Sequence, residues 1–319
     1  MAERVFADVQ RSTLLLKAAR MYHEEGMGQP EIAERLNLSQ SRVSRLLKEA
    51  QDRGVVRTLV LTPPGFFAEL EEQVRNRFGL RDVVVADAAA QDDAAVLAAI
   101  GVAAAGYLEE TLGRDERLGI TSRSAALLSM VEALAPIRAG SVESVVQTLG
   151  AVGNPVMRAQ ASRLTDRLAQ LTGAEPIYLN TPGVVANRAV HDGLLSDEYV
   201  GAAVTAWQSL STMLTGVGSA RAPRTVWGAA LPRDDLARLV KRRAVGDVCL
   251  NFFDARGAMI EDELRERVIG IPADVLHAVP RRIGVAGGRS KTTAVAAACR
   301  GGWINILVTD QFTARRLLE

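Results

Sequence analysis

Residues 27–48 have the sequence MGQPEIAERLNLSQSRVSRLLK, which is typical of two short helices joined by a tight turn. Pro30 favours the first turn of a helix, because its missing N–H would have no partner there. Asn37 tolerates the left-handed backbone of a tight turn, and Ser39 is a suitable N-cap for the helix that follows. The segment therefore predicts a short helix that buries Ile32, Ala33 and Leu36, then a turn, then a longer helix.

An upstream helix completes this unit. Leu15, Ala18, Ala19 and Tyr22 follow one another at the spacing of one helix face, and Gly26 is a suitable stop. We expect these four side chains to be buried. Residues 55–61 alternate between apolar and polar, and they form either a wing or the start of a linker.

The third helix has two different faces. Val43, Leu46, Leu47 and Ala50 repeat at helical spacing and are predicted to face the core. The other face is polar and cationic, with no acid between residues 39 and 48. Short polar side chains near the start of such a helix contact base edges, and long cations contact guanines or phosphates. The predicted DNA-contacting residues are Gln29, Ser39, Gln40, Ser41, Arg42, Ser44, Arg45 and Lys48.

A small helical bundle whose basic face meets only solvent is the alternative interpretation. We favour DNA binding because the short second helix, the Asn-Leu-Ser turn and the acid-free third helix occur together. The formal net charge is only +1, so affinity for DNA has to come from this local surface.

The composition and the cysteine and histidine positions limit which other classes of protein this chain can belong to. A chain of 319 residues suits one small and one large domain. Cys249 and Cys299 lack metal-ligand spacing and His23, His191 and His277 are scattered, so we expect no metal and no cofactor. We see no signal peptide and no run near the roughly 18 apolar residues that span a membrane. We expect a cytoplasmic protein without a membrane partner.

Residues 62–65, TPPG, interrupt any preceding element and mark a domain boundary. Residues 66–78 then have helical spacing. We predict a helix-turn-helix DNA-binding domain over 1–62, a linker or oligomerisation helix over 63–80, and an effector domain over 81–319.

The effector domain alternates short apolar runs with Ala- and Leu-rich helical runs. This pattern predicts an α/β domain with a mainly parallel sheet that binds its ligand at the carboxyl ends of the strands. The predicted strands are residues 83–85, 118–120, 144–146, 176–179, 226–228, 247–250, 282–285 and 304–308.

Residues 282–293, RIGVAGGRSKTT, predict a strand, a glycine loop and a helix start. Glycines let backbone N–H groups approach a phosphate, and Lys291 adds a full positive charge. Ser290 replaces the glycine that a Walker A loop needs before its lysine, so ATP is not expected. The alternative is a tight strand-to-helix turn with a surface lysine.

Taken together, these segments resemble the SorC family of sugar-responsive bacterial regulators over almost the whole chain. The segments that carry the resemblance are residues 38–54, 173–179, 246–249 with 252–254, 286–288 with Lys291, and 307–310 with Thr313 and Ala314. The resemblance implies a transcriptional regulator of carbohydrate metabolism that binds operator DNA and a phosphorylated sugar, and that forms a dimer or tetramer. It also implies an effector domain related in fold to ribose-phosphate isomerases and CoA transferases.

The resemblance further implies a phosphate loop over 119–125 and walls formed by residues 147–150, Gln160, 216–219, Asp247 and Lys291. The implied effector-binding residues are Gly119, Thr121, Ser122, Arg123, Ser124, Gln147, Gly150, Gln160, Gly218, Ser219, Asp247 and Lys291.

This chain departs from the family at two positions. Residues 122–125 are SRSA where relatives often have a Trp-Gly-Thr-Thr-like loop. Arg123 either binds a phosphate with both guanidinium arms or faces solvent. Leu149 stands where some relatives carry Lys or Arg, which excludes a Schiff base there and predicts a different effector.

Two other functions share parts of this pattern. A sugar-phosphate-converting enzyme with an accessory helical module would need a nucleophile with its base, a metal cluster or paired carboxylates, and the sequence has none of these. The acidic run Glu261, Asp262 and Glu263 is more typical of a solvated helix start. A recombinase would need spaced catalytic carboxylates. We expect a regulator and not an enzyme.

Overall fold

The computed structural model describes residues 2–56, 65–122, 124–137, 140–153, 155–220 and 231–319, with side chains for all of these except 2–11 and 155–161. The chain divides into two compact units, Met1–Thr62 and Pro63–Glu319. The strand predicted at residues 226–228 and the alternating stretch from Arg57 onward lie outside the described residues.

The first unit contains α1 (Ala2–His23), α2 (Gln29–Arg35) and α3 (Gln40–Asp52). Asn37 has a φ of 53°, so the predicted left-handed turn between α2 and α3 is present. One apolar cluster joins the three helices. Its buried members are Leu15, Ala18, Ala19, Met27, Ile32, Ala33, Val43, Leu46, Leu47 and Ala50.

Tyr22 does not belong to this core. It is 40% exposed and stacks edge-on with His23 instead. The chain reverses at Gly26, with a φ of 69°, and this turn brings Met27 into the core. The prediction that Tyr22 is buried was therefore wrong, because Met27 and not Tyr22 extends the apolar cluster at the end of α1.

The second unit is built on a seven-stranded sheet in the order β1-β10-β9-β5-β2-β3-β4, with every pairing parallel. The predicted α/β class with a mainly parallel sheet is confirmed. The strands of this sheet are β1 (Asp82–Ala86), β2 (Glu116–Ile120), β3 (Val142–Gln147), β4 (Glu175–Ile177), β5 (Thr212–Gly216), β9 (Arg281–Val285) and β10 (Ile306–Asp310).

The central strand β5 was not predicted from the sequence. It pairs with β2 on one side and β9 on the other, and four of its five residues are buried. Its sequence, TMLTG, contains two threonines and ends in glycine, which are residues that also mark loops. Threonine is β-branched and suits a pleated, buried strand, so tertiary packing decides its conformation.

A separate antiparallel sheet contains β6 (Gly218–Ser219), β7 (Gly246–Val248) and β8 (Asn251–Phe253). The strand predicted over 247–250 ends at Val248. Cys249 and Leu250 form the turn between β7 and β8, with φ angles of 52° and 61°. Both lie in the left-handed region that a two-residue hairpin turn requires and that is costly for residues other than glycine.

Helices cover both faces of the large sheet. Neighbouring strand residues enter opposite clusters, as Val145 and Val146 do, because successive side chains of a strand point to opposite faces. The described helices of this unit are α4 (Ala68–Phe78), α5 (Asp93–Thr111), α6 (Ala125–Ala133), α7 (Pro155–Thr172), α8 (Arg188–Leu195), α9 (Glu198–Trp207), α10 (Arg233–Lys241), α11 (Ala273–Ala278), α12 (Thr292–Arg300) and α13 (Gln311–Leu318).

The helix α4, expected as a linker or oligomerisation helix, packs within the second unit on β1 and α13. Val74 is fully buried, and Arg77 Nη1 donates a hydrogen bond of 2.8 Å to the carbonyl of Leu318. Phe66 precedes the helix and is 69% exposed. This helix therefore packs into the core of the second unit through Val74.

Helix α5 corrects the expectation that no segment is long and apolar enough to span a membrane. It has 19 residues and a mean hydropathy of 1.3, and it is the single such helix in the part of the chain that the structure describes. Ile100, Ala104 and Leu108 on one side of it are buried in the core. This packing accounts for the apolar residues on that side, while Val102 on another side is 64% exposed.

Candidate functional site

The outer face of α3 is the candidate DNA-binding surface. Val43, Leu46, Leu47 and Ala50 are buried, which turns the remaining positions outward. The predicted residues Ser39, Gln40, Ser41, Arg42, Ser44, Arg45 and Lys48 are all exposed, and Gln29, the first residue of α2, is half-buried. The structure thus places seven of these eight residues along one helix and its N-cap.

This surface carries cations without acidic partners. In the described part of the chain, Arg42, Arg45 and Lys48 form no ion pair. Arg20, Arg35 and Arg53, which lie elsewhere in this unit, do have partners. These are the pairs Arg20–Glu24 at 2.8 Å, Arg35–Glu25 at 3.5 Å and Arg53–Glu49 at 2.5 Å. The outer face of α3 thus carries three of the cations that have no ion pair among the described residues of this unit.

The start of α3 is open to an incoming anion. Ser39 occupies the N-cap position with extended backbone angles, as predicted, but its hydroxyl accepts no helix N–H. It lies 3.1 Å from the hydroxyl of Ser41 instead. Arg45 Nε donates to the carbonyl of Ser41 at 3.2 Å, which draws the arginine toward the start of the helix. The first N–H groups of a helix have no intrahelical acceptor, so they attract phosphate oxygens.

The candidate effector site lies at the carboxyl ends of β2, β3, β5 and β9. Because these strands are parallel neighbours, the segments that follow them meet at one edge of the sheet. Ser122 Oγ donates to the carbonyl of Gly150 at 3.3 Å. A Cβ at Gly216 would lie 2.5 Å from Ser124 Oγ. The predicted 119–125, 147–150 and 216–219 segments are therefore in contact.

Gly119 has a different setting from the rest of its predicted loop. It lies within β2 and is buried. A Cβ there would lie 2.7 Å from Leu210 and 2.9 Å from both Met213 and Thr148. Gly119 is packed inside the sheet, and the segment that reaches the carboxyl edge begins at Thr121.

Gln147, the last residue of β3, presents a buried acceptor to this edge. The residue is 1% exposed, and its Nε2 donates to the carbonyl of Leu149 at 2.8 Å. Its main-chain carbonyl accepts from Trp207 Nε1 at 3.0 Å. Oε1 of Gln147 has no hydrogen-bond partner among the described residues. Buried polar atoms are nearly always paired, so a ligand group is a natural partner for this oxygen.

Asp247 and Gly218 face each other across the antiparallel pair of β6 and β7, and β6 begins two residues after the end of β5. The two residues pair in the antiparallel register of β6 and β7, and Ser219 pairs with Gly246. Asp247 is 5% exposed, and its Oδ2 accepts the N–H of Leu250 at 3.1 Å. The carboxylate therefore both lies beside β6 and holds the left-handed turn at Cys249 and Leu250.

The glycine loop after β9 has the predicted strand, loop and helix order. Gly288 has a φ of 92°, a single 3₁₀ turn covers Arg289–Lys291, and α12 begins at Thr292. The N–H of Lys291 donates to the carbonyl of Gly288 at 3.1 Å. Lys291 is half-buried at the start of α12.

Two predicted residues cannot be placed at this edge. Arg123 lies outside the described residues, and so does the side chain of Gln160, whose backbone belongs to α7.

Sequence reasoning missed a cluster of hydroxyls around Cys249. The hydroxyls of Thr121, Thr148 and Thr215 surround the thiol, and burial raises its pKa to about 11. The sequence signal that could have indicated this cluster is the threonine that directly follows each of β2 and β3, Thr121 and Thr148.

A polar cleft of about 300 Å³ lies elsewhere, and none of the predicted effector residues lines it. Its lining consists of Arg188, His191, Asp192, Glu261, Asp262, Arg265 and Glu266. The acidic run begins a 3₁₀ turn here, but Asp262 is not solvated as expected. Its side chain is 3% exposed and pairs with Arg238 at 3.1 Å and Arg242 at 3.3 Å. Those two pairs hold α10 against the turn.

Comparison with known families finds two matches. The sequence profile of the Sugar-bind family, a sugar-binding domain, matches residues 63–319. The profile of Sigma-70 region 4 matches residues 15–53, the segment that contains α2 and α3.

Similar curated proteins are transcriptional regulators and align over nearly their whole length. The deoxyribonucleoside regulator of Bacillus subtilis is 28% identical over 312 residues, 98% of this chain and 99% of the relative. The sorbitol operon regulator of Klebsiella pneumoniae is 29% identical over 309 residues, 96% and 98% respectively. The transcriptional regulator LsrR of Escherichia coli K12 is 30% identical over 308 residues, which are 95% of this chain and 93% of the relative.

Solved structures agree with this comparison. The full-length sorbitol operon regulator SorC from Klebsiella pneumoniae superposes with a TM-score of 0.75 at 27% identity, over 96% of this chain and 98% of that chain. A domain of a sugar-binding transcriptional regulator from Arthrobacter aurescens superposes with a TM-score of 0.72 at 27% identity. The match covers 81% of this chain and 99% of that chain.

Proposed function

The chain belongs to the Sugar-bind family of SorC-type transcriptional regulators, and we propose that a phosphorylated sugar controls its binding to operator DNA. It is a DNA-binding transcriptional regulator with a helix-turn-helix module and a sugar-binding effector domain, and not an enzyme. Two of the named relatives are a sorbitol operon regulator and a deoxyribonucleoside regulator, so we assign this chain to carbohydrate metabolism.

The observation that supports the DNA contact is the outer face of α3. Seven exposed polar or cationic residues lie between Ser39 and Lys48, separated by the buried residues of the inner face. The three cations among them have no acidic partner in the described residues. We expect Arg42 and Arg45, near the start of the helix, to contact bases. We expect Lys48, further along, to contact a phosphate.

The observation that supports a phosphorylated effector is the convergence at the carboxyl edge of the sheet. The glycine loop with Lys291 supplies backbone N–H groups and a positive charge, which suit a phosphoryl group. Gln147 and Asp247 supply buried acceptors, which suit sugar hydroxyls. One edge therefore offers a cationic subsite for the phosphoryl group and a second subsite of hydrogen-bond acceptors for the sugar hydroxyls.

The mechanism that we propose is a shift between two arrangements of a homodimer or homotetramer in the cytoplasm. Effector binding favours one arrangement and changes the spacing between recognition helices, which alters affinity for paired half-sites. The effector moves this equilibrium only by the difference between its affinities for the two arrangements.

A thermal-shift screen tests this proposal. A panel of sugar phosphates is compared with the same sugars without the phosphate, because a ligand that binds the folded state raises the Tm. We expect at least one phosphorylated sugar to raise the Tm and to change the affinity for the protein's own promoter DNA, while its unphosphorylated parent does neither. The absence of any response across the panel, or an equal response to the parent sugar, would overturn the proposal.

A further inference from the structure

The carboxylate of Asp310 lies at the junction between the sheet and the glycine loop. Asp310 is the last residue of β10, the strand that pairs with β9, and it is also the N-cap of α13. The residue is 0% exposed. Its Oδ1 accepts the N–H groups of Phe312 at 3.0 Å and Thr313 at 2.9 Å. One oxygen thus completes the capping of α13.

The second oxygen of Asp310 binds the effector loop. Oδ2 accepts the N–H of Gly288 at 3.0 Å and the hydroxyl of Thr313 at 2.6 Å. The same N–H of Gly288 also reaches Thr313 Oγ at 2.8 Å. Asp310, Thr313 and Gly288 therefore form a closed ring of hydrogen bonds in the interior. We call this ring the Asp310 clamp.

The loop is shaped to fit this clamp. A Cβ at Gly287 would overlap Oδ2 of Asp310, and Gly288 has a φ of 92°, which residues with a side chain rarely adopt. Because the N–H of Lys291 donates to the carbonyl of Gly288, fixing Gly288 also fixes the backbone of Lys291.

Helix capping alone does not require this arrangement. Asp197, the N-cap of α9, is exposed, and its Oδ1 alone accepts the N–H groups of Tyr199 at 3.0 Å and Val200 at 3.4 Å. In Asp310 the capping oxygen has the same role, while a second, fully buried oxygen contacts a loop 22 residues away in the sequence. A buried carboxylate is stable only when its hydrogen bonds are satisfied, so the loop and the carboxylate depend on each other.

We propose that Asp310 and Thr313 are positioning residues of the effector site, which hold the 287–291 loop in the conformation that accepts a phosphoryl group. This inference rests on the proposed function. Without the clamp, the loop would have to become ordered when the anion binds, and the entropy lost in that step would weaken binding. Asp310 and Thr313 contact no ligand in this arrangement and act through Gly288.

Four variants of the full-length protein test the clamp. Asp310→Asn retains one acceptor for capping α13, but its amide cannot accept the N–H of Gly288. Thr313→Val removes the hydroxyl at nearly constant volume, and Thr313→Ser keeps the hydroxyl. Asp197→Asn is the matched control, because it makes the same change at an exposed N-cap whose side chain, among the described residues, bonds only to the start of its own helix.

Two measurements are made on each variant. Amide hydrogen exchange reports the protection of Gly288 without ligand, and a phosphorus NMR titration with inorganic phosphate reports affinity. We expect Asp310→Asn and Thr313→Val to lose the protection of Gly288 and to bind phosphate about tenfold more weakly. Thr313→Ser and Asp197→Asn are expected to match the wild type in both measurements.

The outcomes separate this inference from the proposed function. If the wild type binds phosphate and both clamp variants bind it equally well, the clamp has no positioning role, while the effector site stands. If the wild type does not bind inorganic phosphate, the proposed anion site is wrong and the role of the clamp falls with it. Should Asp310→Asn fail to fold, the comparison of Thr313→Val with Thr313→Ser decides the question.

Discussion

Gly218 lies directly opposite Asp247 in the antiparallel pairing of β6 and β7, and a Cβ at position 218 would overlap Oδ1 of Asp247. The carboxylate thus occupies space that any other residue at position 218 would need. Both residues belong to the proposed effector site, and Asp247 also supports the turn at Cys249 and Leu250. This close approach makes position 218 a sensitive test of the site.

Gly218→Ala is expected to destabilise the protein and weaken effector binding, because the added methyl group displaces the Asp247 carboxylate. Forcing a methyl group into a packed site costs roughly 1–3 kcal/mol. Gly201→Ala is the matched control, since nothing lies within 4 Å of a Cβ there and Gly201 is inside α9. The control is expected to stabilise by about 0.5–1 kcal/mol. Urea unfolding measures both variants, and equal stability in the two would contradict the prediction.

Arg42→Ala and Arg45→Ala are each expected to weaken operator binding by roughly 1–3 kcal/mol if the arginine contacts a base with both arms. Arg20→Ala, which removes an exposed pair with Glu24 on α1, serves as the control and should leave DNA affinity unchanged. Fluorescence anisotropy with promoter DNA measures the three variants. Unchanged affinity in both Arg42→Ala and Arg45→Ala would mean that α3 is not the recognition helix.

Lys291→Ala is expected to abolish the effector response while sparing operator binding, because the lysine supplies the charge for the phosphoryl group. Lys241→Ala, at the exposed end of α10, removes one positive charge elsewhere and is the control. DNA affinity is measured with and without the sugar phosphate that the screen identifies. A full response in Lys291→Ala would remove the anion site from the proposal.

Glu116 and Arg281 form an ion pair of 3.2 Å at the amino ends of β2 and β9, the edge opposite the effector site, and each side chain is 11% exposed. Burial raises the pKa of Glu116, but hydrogen bonds from Ser211 and Thr212 and the charge of Arg281 outweigh it, so the pKa is lowered. A carboxyl with a lowered pKa in the folded state stabilises the protein above its unfolded pKa, and this contribution is lost as the pH falls through the folded pKa.

Glu116→Gln is therefore expected to destabilise the protein by roughly 3 kcal/mol at neutral pH, since Arg281 loses its buried partner. The difference from wild type should shrink in acid, where Glu116 becomes protonated. Glu143→Gln breaks the exposed pair with Arg117 and should cost less than about 1 kcal/mol. Chemical denaturation across a pH series measures these values, and a difference that is constant with pH would refute the assignment.

The two thiols are expected to be unreactive in the folded protein. Burial raises the pKa of Cys249 to about 11 and that of Cys299 to about 12, so neither forms the nucleophilic thiolate at neutral pH. A chromogenic disulfide reagent should modify both thiols in denaturant and neither in buffer. Rapid modification of the native protein would show that one of them is accessible.

Sequence patterns within a few residues were sufficient to predict the structure of most of the DNA-binding unit. The helix faces of α2 and α3, the turn at Asn37 and the acid-free outer face all follow from spacings of four residues or fewer, which act within one helix turn. The error at Tyr22 arose where the chain turned at Gly26 and Met27 extended the core instead. Whether Tyr22 or Met27 is buried depends on packing between helices, which the residue spacing within one helix does not reveal.

The sequence by itself determined that the effector domain is a mainly parallel α/β unit with a glycine loop before Lys291, because apolar runs and glycines carry local conformational signals. Only the tertiary structure decided that β5 is the central strand, that Gln147 presents a buried acceptor and that Asp310 binds Gly288. Strand pairing and buried hydrogen bonds join residues far apart in the chain. Their free energy depends on the whole packed arrangement, so no local pattern specifies them.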